Sequence, residues 1–305
     1  MSRVLMVLLL FCLGTPCYAE RVFTEVSGSR DSDEASSLGV LTGYRHAFGD
    51  RGKTEIEFAA GRRSYAEPGE RESFNAGRLQ LYSAPGRDWR MQLRCEFLEG
   101  DDWSPILPAA FFSGRPHDDW YLEFSAERDP VDSVSALRRH IRLDSYVASA
   151  DYRINDRLTL VGAYIAQHFS DDNRKRGGIG RIIFSPAQLP GFSLQVKARY
   201  LRADQDSPDY FSPRTLGEGF LLFSYATPFA DDNWVIKLLA GPGVQRIEPF
   251  NDAATNKTGY HGELFLHGWF NEHVQLVSRL GCTSARDTQD AYRYCFGKMQ
   301  LGYAW

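Results

Sequence analysis

The residues best suited to chemistry gather on one face of a single segment, where His261, Glu263, Phe265 and His267 recur at every second position. A histidine beside a carboxylate is the base-and-orienter pair that a hydrolase uses, here with His267 as the base and Glu263 as its orienter. The other histidines, His46, His117, His140, His168 and His273, are scattered, and no metal-ligand spacing occurs, so neither a metal nor a cofactor is expected. A hydrolase acting on membrane lipid would also need a nucleophilic serine beside a histidine. Ser278 falls on the outward face of its segment with no outward histidine on the adjoining segments, and no GxSxG elbow is present. Residues 177–180 (GGIG) lack the βαβ setting of a phosphate cradle. His267 and Glu263 therefore read as polar lining, and no enzymatic activity is expected.

The segments carrying these residues alternate strictly. Reading back from the end, Trp305, Tyr303, Leu301, Met299, Gly297 and Cys295 share one face, and Ala304, Gly302, Gln300, Lys298, Phe296 and Tyr294 share the other. Trp89, Met91, Leu93, Cys95 and Phe97 likewise oppose Arg90, Gln92, Arg94 and Glu96. Phe192 to Tyr200 and Trp120 to Ala126 repeat the pattern. A period of two means a strand with a different solvent on each side. An arginine or lysine facing lipid at mid-bilayer would cost about 2–4 kcal/mol, so the charged face must line a wet interior.

No run of about 18 apolar residues exists outside the amino-terminus, which leaves a closed barrel as the way to span a membrane. Residues 1–19 carry Arg3, an apolar run and small residues before Ala19, the plan of a cleaved signal peptide that would take Cys12 and Cys17 with it. Residues 20–305 then divide into about sixteen segments, with fourteen as the alternative. Short turns at 49–52, 85–88, 155–157, 229–233 and 271–273 alternate with longer loops at 128–139, 170–178, 203–213 and 248–259. Residues 104–114, near prolines, read as a loop or a distorted edge, and residues 144–152 alternate poorly. The expected fold is an all-β, transmembrane, antiparallel up-and-down barrel in the bacterial outer membrane, with both termini in the periplasm. A periplasmic β-sandwich would alternate too, but with its apolar face inward. A net charge of -4 excludes a nucleic-acid partner. Cys282 and Cys295 lie symmetrically about the last turn on the outward face, placed to pair in an oxidising compartment, with Cys95 left free.

The lumen would then present Arg90, Arg94, Lys197, Arg199 and Lys237 against Glu96, Glu123, Glu218 and Glu263, with aromatic surfaces such as Tyr121 beside them. Mixed charge with exposed rings suits weak, repeated contact with sugars, carboxylates and guanidinium groups meeting hydroxyls while rings meet the apolar sugar face. The stretch SPDYFSPRTLGEGFLLFSYATPF, residues 207–229, resembles the barrel domains of exopolysaccharide export proteins of the cellulose and poly-N-acetylglucosamine type, through Asp209, Tyr210, Phe211, Ser212 and Pro213. The resemblance implies a sixteen-stranded barrel through which a polysaccharide or oligosaccharide passes, with outer-membrane lipid and a carbohydrate polymer as partners. Such proteins usually carry helical repeats of about 34 residues before the barrel, and none occurs here. A separate periplasmic scaffold protein would have to supply them. The alternatives are a general diffusion porin and, third, an outer-membrane lipid hydrolase.

Overall fold

The computed structural model describes residues 20–32, 34–48, 54–86, 88–231, 233–284 and 293–305, so the signal segment and the turn at 49–52 lie outside the described residues. Sixteen strands form one closed barrel, each hydrogen-bonded to its sequence neighbours, with β1 pairing β16 to close the ring. They are β1 (Arg21–Asp31), β2 (Ser36–Phe48), β3 (Thr54–Glu67), β4 (Glu70–Ser83), β5 (Trp89–Glu99), β6 (Ile106–His117), β7 (Trp120–Pro130) and β8 (Arg142–Asn155) in the first half. The second half contains β9 (Leu158–Phe169), β10 (Arg174–Phe184), β11 (Phe192–Ala203), β12 (Thr215–Phe229), β13 (Trp234–Glu248), β14 (Thr255–Trp269), β15 (Val274–Thr283) and β16 (Tyr294–Ala304). An even number of strands brings both termini to one end, called here the terminal end. The longest connections lie at the opposite, loop end.

Alternation puts large apolar side chains on the outside, including Phe58, Leu79, Phe97, Ile182, Val196, Val244 and Leu301. At the terminal end these become rings in a belt, with Trp89 stacked on Phe112 (5.0 Å) and Trp120 tilted against Tyr152 (4.8 Å). Such a belt is how a barrel meets a bilayer boundary. The charged residues of the alternate register face the lumen. That arrangement excludes the sandwich alternative, because a sandwich would bury its apolar face.

The strand count is sixteen rather than fourteen because two ambiguous stretches are strands. Residues 104–114 contribute most of β6, and the β6–β7 ladder begins only at Ala109, one residue past Pro108. A proline is tolerated where part of a strand is unpaired. Residues 144–152 belong to β8, whose outward Asp144 is neutralised by Arg128 on β7 (2.6 and 2.8 Å), and that outward charge is one reason the stretch alternates poorly. The loop expected at 170–178 shortens to 170–173, because β10 starts at Arg174.

The connection after β7 folds into a helix, α1 (Val134–Arg138), rather than staying an open loop. Ser133 caps it by accepting from the Ala136 N–H, while Val134, Ala136 and Leu137 are buried. Glu67 Oε1 accepts from the Val134 N–H at 3.0 Å, which ties the helix start to β3. Val134 and Leu137 join an apolar cluster with Phe23, Leu41, Tyr65, Phe74, Leu98 and Leu107, all inside the barrel. The helix is thus drawn into the loop end of the lumen.

Two constraints close the design. Cys282 and Cys295 are directly opposed and joined by a disulfide on the outer face of the last hairpin, and Cys95 is a free thiol. The inward Gly177 lies so near β11 that a Cβ would sit 1.8 Å from the Tyr200 carbonyl oxygen, whereas one on the outward Gly180 would meet nothing within 4 Å. Gly177→Ala is therefore expected to lower the yield of folded, heat-modifiable barrel on unboiled gels, and Gly180→Ala to leave it unchanged. Alkylation of the denatured, unreduced chain from Glu20 onward is expected to label Cys95 alone, and reduction to add Cys282 and Cys295.

Candidate functional site

The lumen has two unlike halves. Strands β1 to β4, with Glu96 of β5 and Lys298 of β16, fill theirs with a charged cluster in which four carboxylates meet four cations. Arg78 Nη1 donates to Glu25 Oε1 at 2.9 Å, and its Nη2 lies 2.9 Å from Glu57 Oε1. Arg45 donates to Glu57 at 2.6 Å and to Glu55 at 3.3 Å, with its guanidinium 4.5 Å from the Tyr82 ring centroid. Lys298 reaches Glu25 across the β1–β16 seam at 3.0 Å, and Arg63 donates to Glu96 at 2.6 Å. Glu57 and Glu96 are 0% and 1% exposed. Ions buried this deeply are costly unless paired, so this half is wall and filling rather than passage. Glu96, expected among the residues that would touch a permeant, faces the lumen but is covered by Arg63. Glu218 is also buried, held by Arg199 and within 3.3 Å of Gln245 Nε2.

The opposite half stays wet. Register and alternation place Arg90, Arg94, Tyr121, Glu123, Lys197, Arg199, Lys237 and Glu263 on its inner face. Tyr121 donates to Glu123 at 2.8 Å, and Arg94 lies 3.7 Å from a half-exposed Glu127. Arg181 and Lys197 are direct cross-strand partners, with Arg199 two residues along β11. Arg181 and Lys197 thus leave a positive patch on β10 and β11, beside Arg199, which is already paired with Glu218. Across from it, Glu263 does not hold His267 as the sequence suggested. It accepts Arg279 through Oε2 (2.8 Å) and lies 3.0 Å from His261 Nε2 through Oε1, while His267 meets Gln275 at 2.8 Å. His261 stands two residues from Glu263 on the same face and His267 four, and the neighbouring strand supplies Arg279 to the same carboxylate. Ser278 faces outward between Leu266 and Met299. Among the described residues no group of three or more His, Cys, Asp or Glu is placed to hold a metal ion.

The loop end is covered by a clasp that sequence reasoning did not anticipate. Residues 204–214, which include the Asp209 to Pro213 motif, fold back onto α1. Ser133 Oγ donates to the Asp209 backbone carbonyl, Ser135 Oγ donates to Asp209 Oδ1 at 2.5 Å, and Arg139 donates to Oδ2. Tyr210 stacks flat on Phe169 of β9, with centroids 4.3 Å apart, and Lys175 Nζ lies 4.8 Å from the Phe169 centroid while donating to the Phe211 carbonyl. Buried Asn173 has its Nδ2 within 3.1 Å of Gln205 O, Tyr210 Oη and Ser212 Oγ. Burial, and with it the hydrogen bond to the Asp171 carboxylate, pushes the Tyr210 phenol above its ordinary range. Its O–H therefore remains a donor to Asp171 through neutral and mildly alkaline pH. A cavity of about 980 Å³ lies between clasp and wall, lined by Arg63, Tyr65, Asp129, Lys175, Asp209 and Tyr210 among others. That is the size of a pocket for a small ligand or a few linked units.

A closed barrel with an apolar outer belt and a charged lumen is the architecture of outer-membrane β-barrels, and solved structures agree. The chain is similar to a bacterial polysaccharide outer membrane secretin at 12% identity, covering 96% of this chain and 100% of that one with a TM-score of 0.72. It also aligns with OprD of Pseudomonas aeruginosa (8% identity, 94% of each chain, TM-score 0.47). The FrpB iron transporter of Neisseria meningitidis aligns at 10% identity, over 89% of this chain and 55% of that one, with a TM-score of 0.49. The first likeness shows a shared fold, and the other two are too distant to carry an argument. No family model matches the chain, and no curated protein matches it.

Asp209→Ala removes the acceptor of two side-chain donors, each such charge-assisted bond worth about 1.5–3 kcal/mol. The variant is expected to loosen the clasp and raise single-channel conductance or open dwell time in planar bilayers. Asp209→Asn should fall between the variant and the parent.

Proposed function

We propose that the protein is an outer-membrane pore that passes a polysaccharide or oligosaccharide along the wet half of its lumen. The observation that carries this reading is the division of the lumen. One half is closed by paired, buried charges, and the other keeps accessible cations, carboxylates and rings along one wall. A chain of sugars needs many weak contacts rather than one tight site, since binding must be strong enough for entry and weak enough for release. Arg279, whose guanidinium lies 5.5 Å from the Phe296 ring centroid, pairs a hydrogen-bond donor with a stacking surface of that kind. Likeness in fold to a polysaccharide outer membrane secretin supports the same reading. The clasped end would face outward and the terminal end the periplasm, because long connections in such barrels lie at the outer side.

The positive patch of Arg181 and Lys197 predicts a charge preference. In planar bilayers, acidic oligosaccharides are expected to block the conductance of refolded barrel at lower concentration than neutral or amino-sugar ones. Arg181→Gln together with Lys197→Gln should weaken block by the acidic series about tenfold, the effect of losing roughly 1.4 kcal/mol. Conductance indifferent to every sugar class would instead identify a general diffusion porin.

A further inference from the structure

The outer face at the loop end departs from the apolar pattern of the rest of the barrel. Arg174 and Arg176 on β10 and Arg202 on β11 all point outward and are exposed. Arg176 and Arg202 are direct cross-strand partners, an arrangement of like charges that destabilises a sheet. Of the three, Arg176 alone has a side-chain ion pair among the described residues, with exposed Asp204 at 3.3 Å. Of the other acids nearby, Asp144 is paired with Arg128 and Glu248 with Arg214, Asp171 accepts from Tyr210, and exposed Asp172 in the turn before β10 makes no ion pair with these arginines among the described residues. The fold thus sustains a local excess of positive charge that it does not neutralise itself.

Directly below, towards the terminal end, the same strand turns from charge to open space. Outward positions on β10 run Arg174, Arg176, Gly178, Gly180, Ile182. Gly178 is flanked by Tyr164 on β9 and Tyr200 on β11, whose rings are 55% and 53% exposed. Gly180 is flanked by Gly162 and Ala198, and a Cβ on either Gly162 or Gly180 would meet nothing within 4 Å. Packing therefore does not require glycine at those two positions. Their effect is a furrow between two tyrosine walls, leading from the arginines down to Ile182, Leu160 and Val196.

We infer that this strip is a binding site for a phosphorylated membrane lipid, its headgroup phosphate held by Arg174, Arg176 and Arg202 and one acyl chain lying in the glycine furrow. Charge complementarity commits the upper part to a phosphate, because guanidinium groups bind phosphate oxygens bidentately and keep their charge at any working pH. The furrow commits the occupant to a lipid rather than a free anion, since an anion has no use for an apolar groove. Exposed tyrosines beside the furrow are the kind of amphipathic ring that favours a membrane interface. The inference rests on the reading of the chain as a membrane barrel.

The test uses the full mature barrel in detergent micelles and in liposomes. Native mass spectrometry would follow retention of diphosphoryl lipid A against its dephosphorylated form, with inorganic phosphate as competitor. The expected result is tighter retention of the phosphorylated lipid by roughly tenfold or more, as for the loss of one charge-assisted contact. Arg174→Gln with Arg202→Gln should abolish that difference, while Gly180→Leu should weaken retention of both lipids by filling the furrow. Arg202→Lys, which keeps the charge, should retain part of the discrimination and guards against misfolding of the double variant. Equal retention of the two lipids, or an unaltered double variant, overturns the site. Full competition by millimolar phosphate overturns the lipid in favour of a free anion. Failure of the parent to insert into liposomes would count against the membrane reading itself, so the two failures are distinguishable.

Discussion

Everything in this structure follows from the need to satisfy every backbone amide and carbonyl in a medium without water. An open sheet edge in hydrocarbon would leave a row of unpaired polar groups, each costing several kcal/mol. The β1–β16 ladder, running from Arg21 opposite Ala304 to Asp31 opposite Tyr294, removes both edges at once. Closure in turn forces alternate residues inward, and those positions hold the charges that lipid cannot. The polar lumen is thus a by-product of closure before it is anything functional. Function depends on what the chain does with that enforced interior.

It treats the two sides of the interior differently. Around Arg78 the carboxylates of Glu25 and Glu57 are consumed by pairing, with Arg45 and Lys298 completing the balance. Such pairs add little net stability over an apolar filling, but removing one member strands a buried charge at a cost of about 3–5 kcal/mol. They hold rings and strands in register without offering a surface to solutes. Along β10, β11 and β14 the charges are only half-buried, and Arg181 and Lys197 face each other across the strands with no carboxylate between them. The same residue types therefore serve as packing in one half and as surface in the other.

Much of this architecture was legible in the residues. Period-2 alternation gave the strands and their faces, and the spacing of Cys282 and Cys295 about the last turn gave their common side. Besides the clasp, three features were not legible. The helix at Val134–Arg138 is five residues long, too short to show a period of 3.6, and it exists because Tyr65 and Phe74 offer it an apolar seat. The pairing of Glu263 with His261 instead of His267 depends on Arg279 from β15. The burial of Glu96 depends on Arg63 reaching from β3, a strand not adjacent to β5. Alternation tells which way a side chain points, and only the assembled ring tells what it meets.

The clasp over the loop end joins pieces that are far apart in the chain. Ser133 and Asp209 are separated by 76 residues, and four full strands, β8 to β11, must be in place between them before they can meet. A barrel growing by the addition of hairpins from either terminus has an uncovered mouth for much of its assembly. Its cover falls into place only when a central block of the wall is finished. The latch therefore needs β8 to β11 in place, whichever terminus the wall grows from.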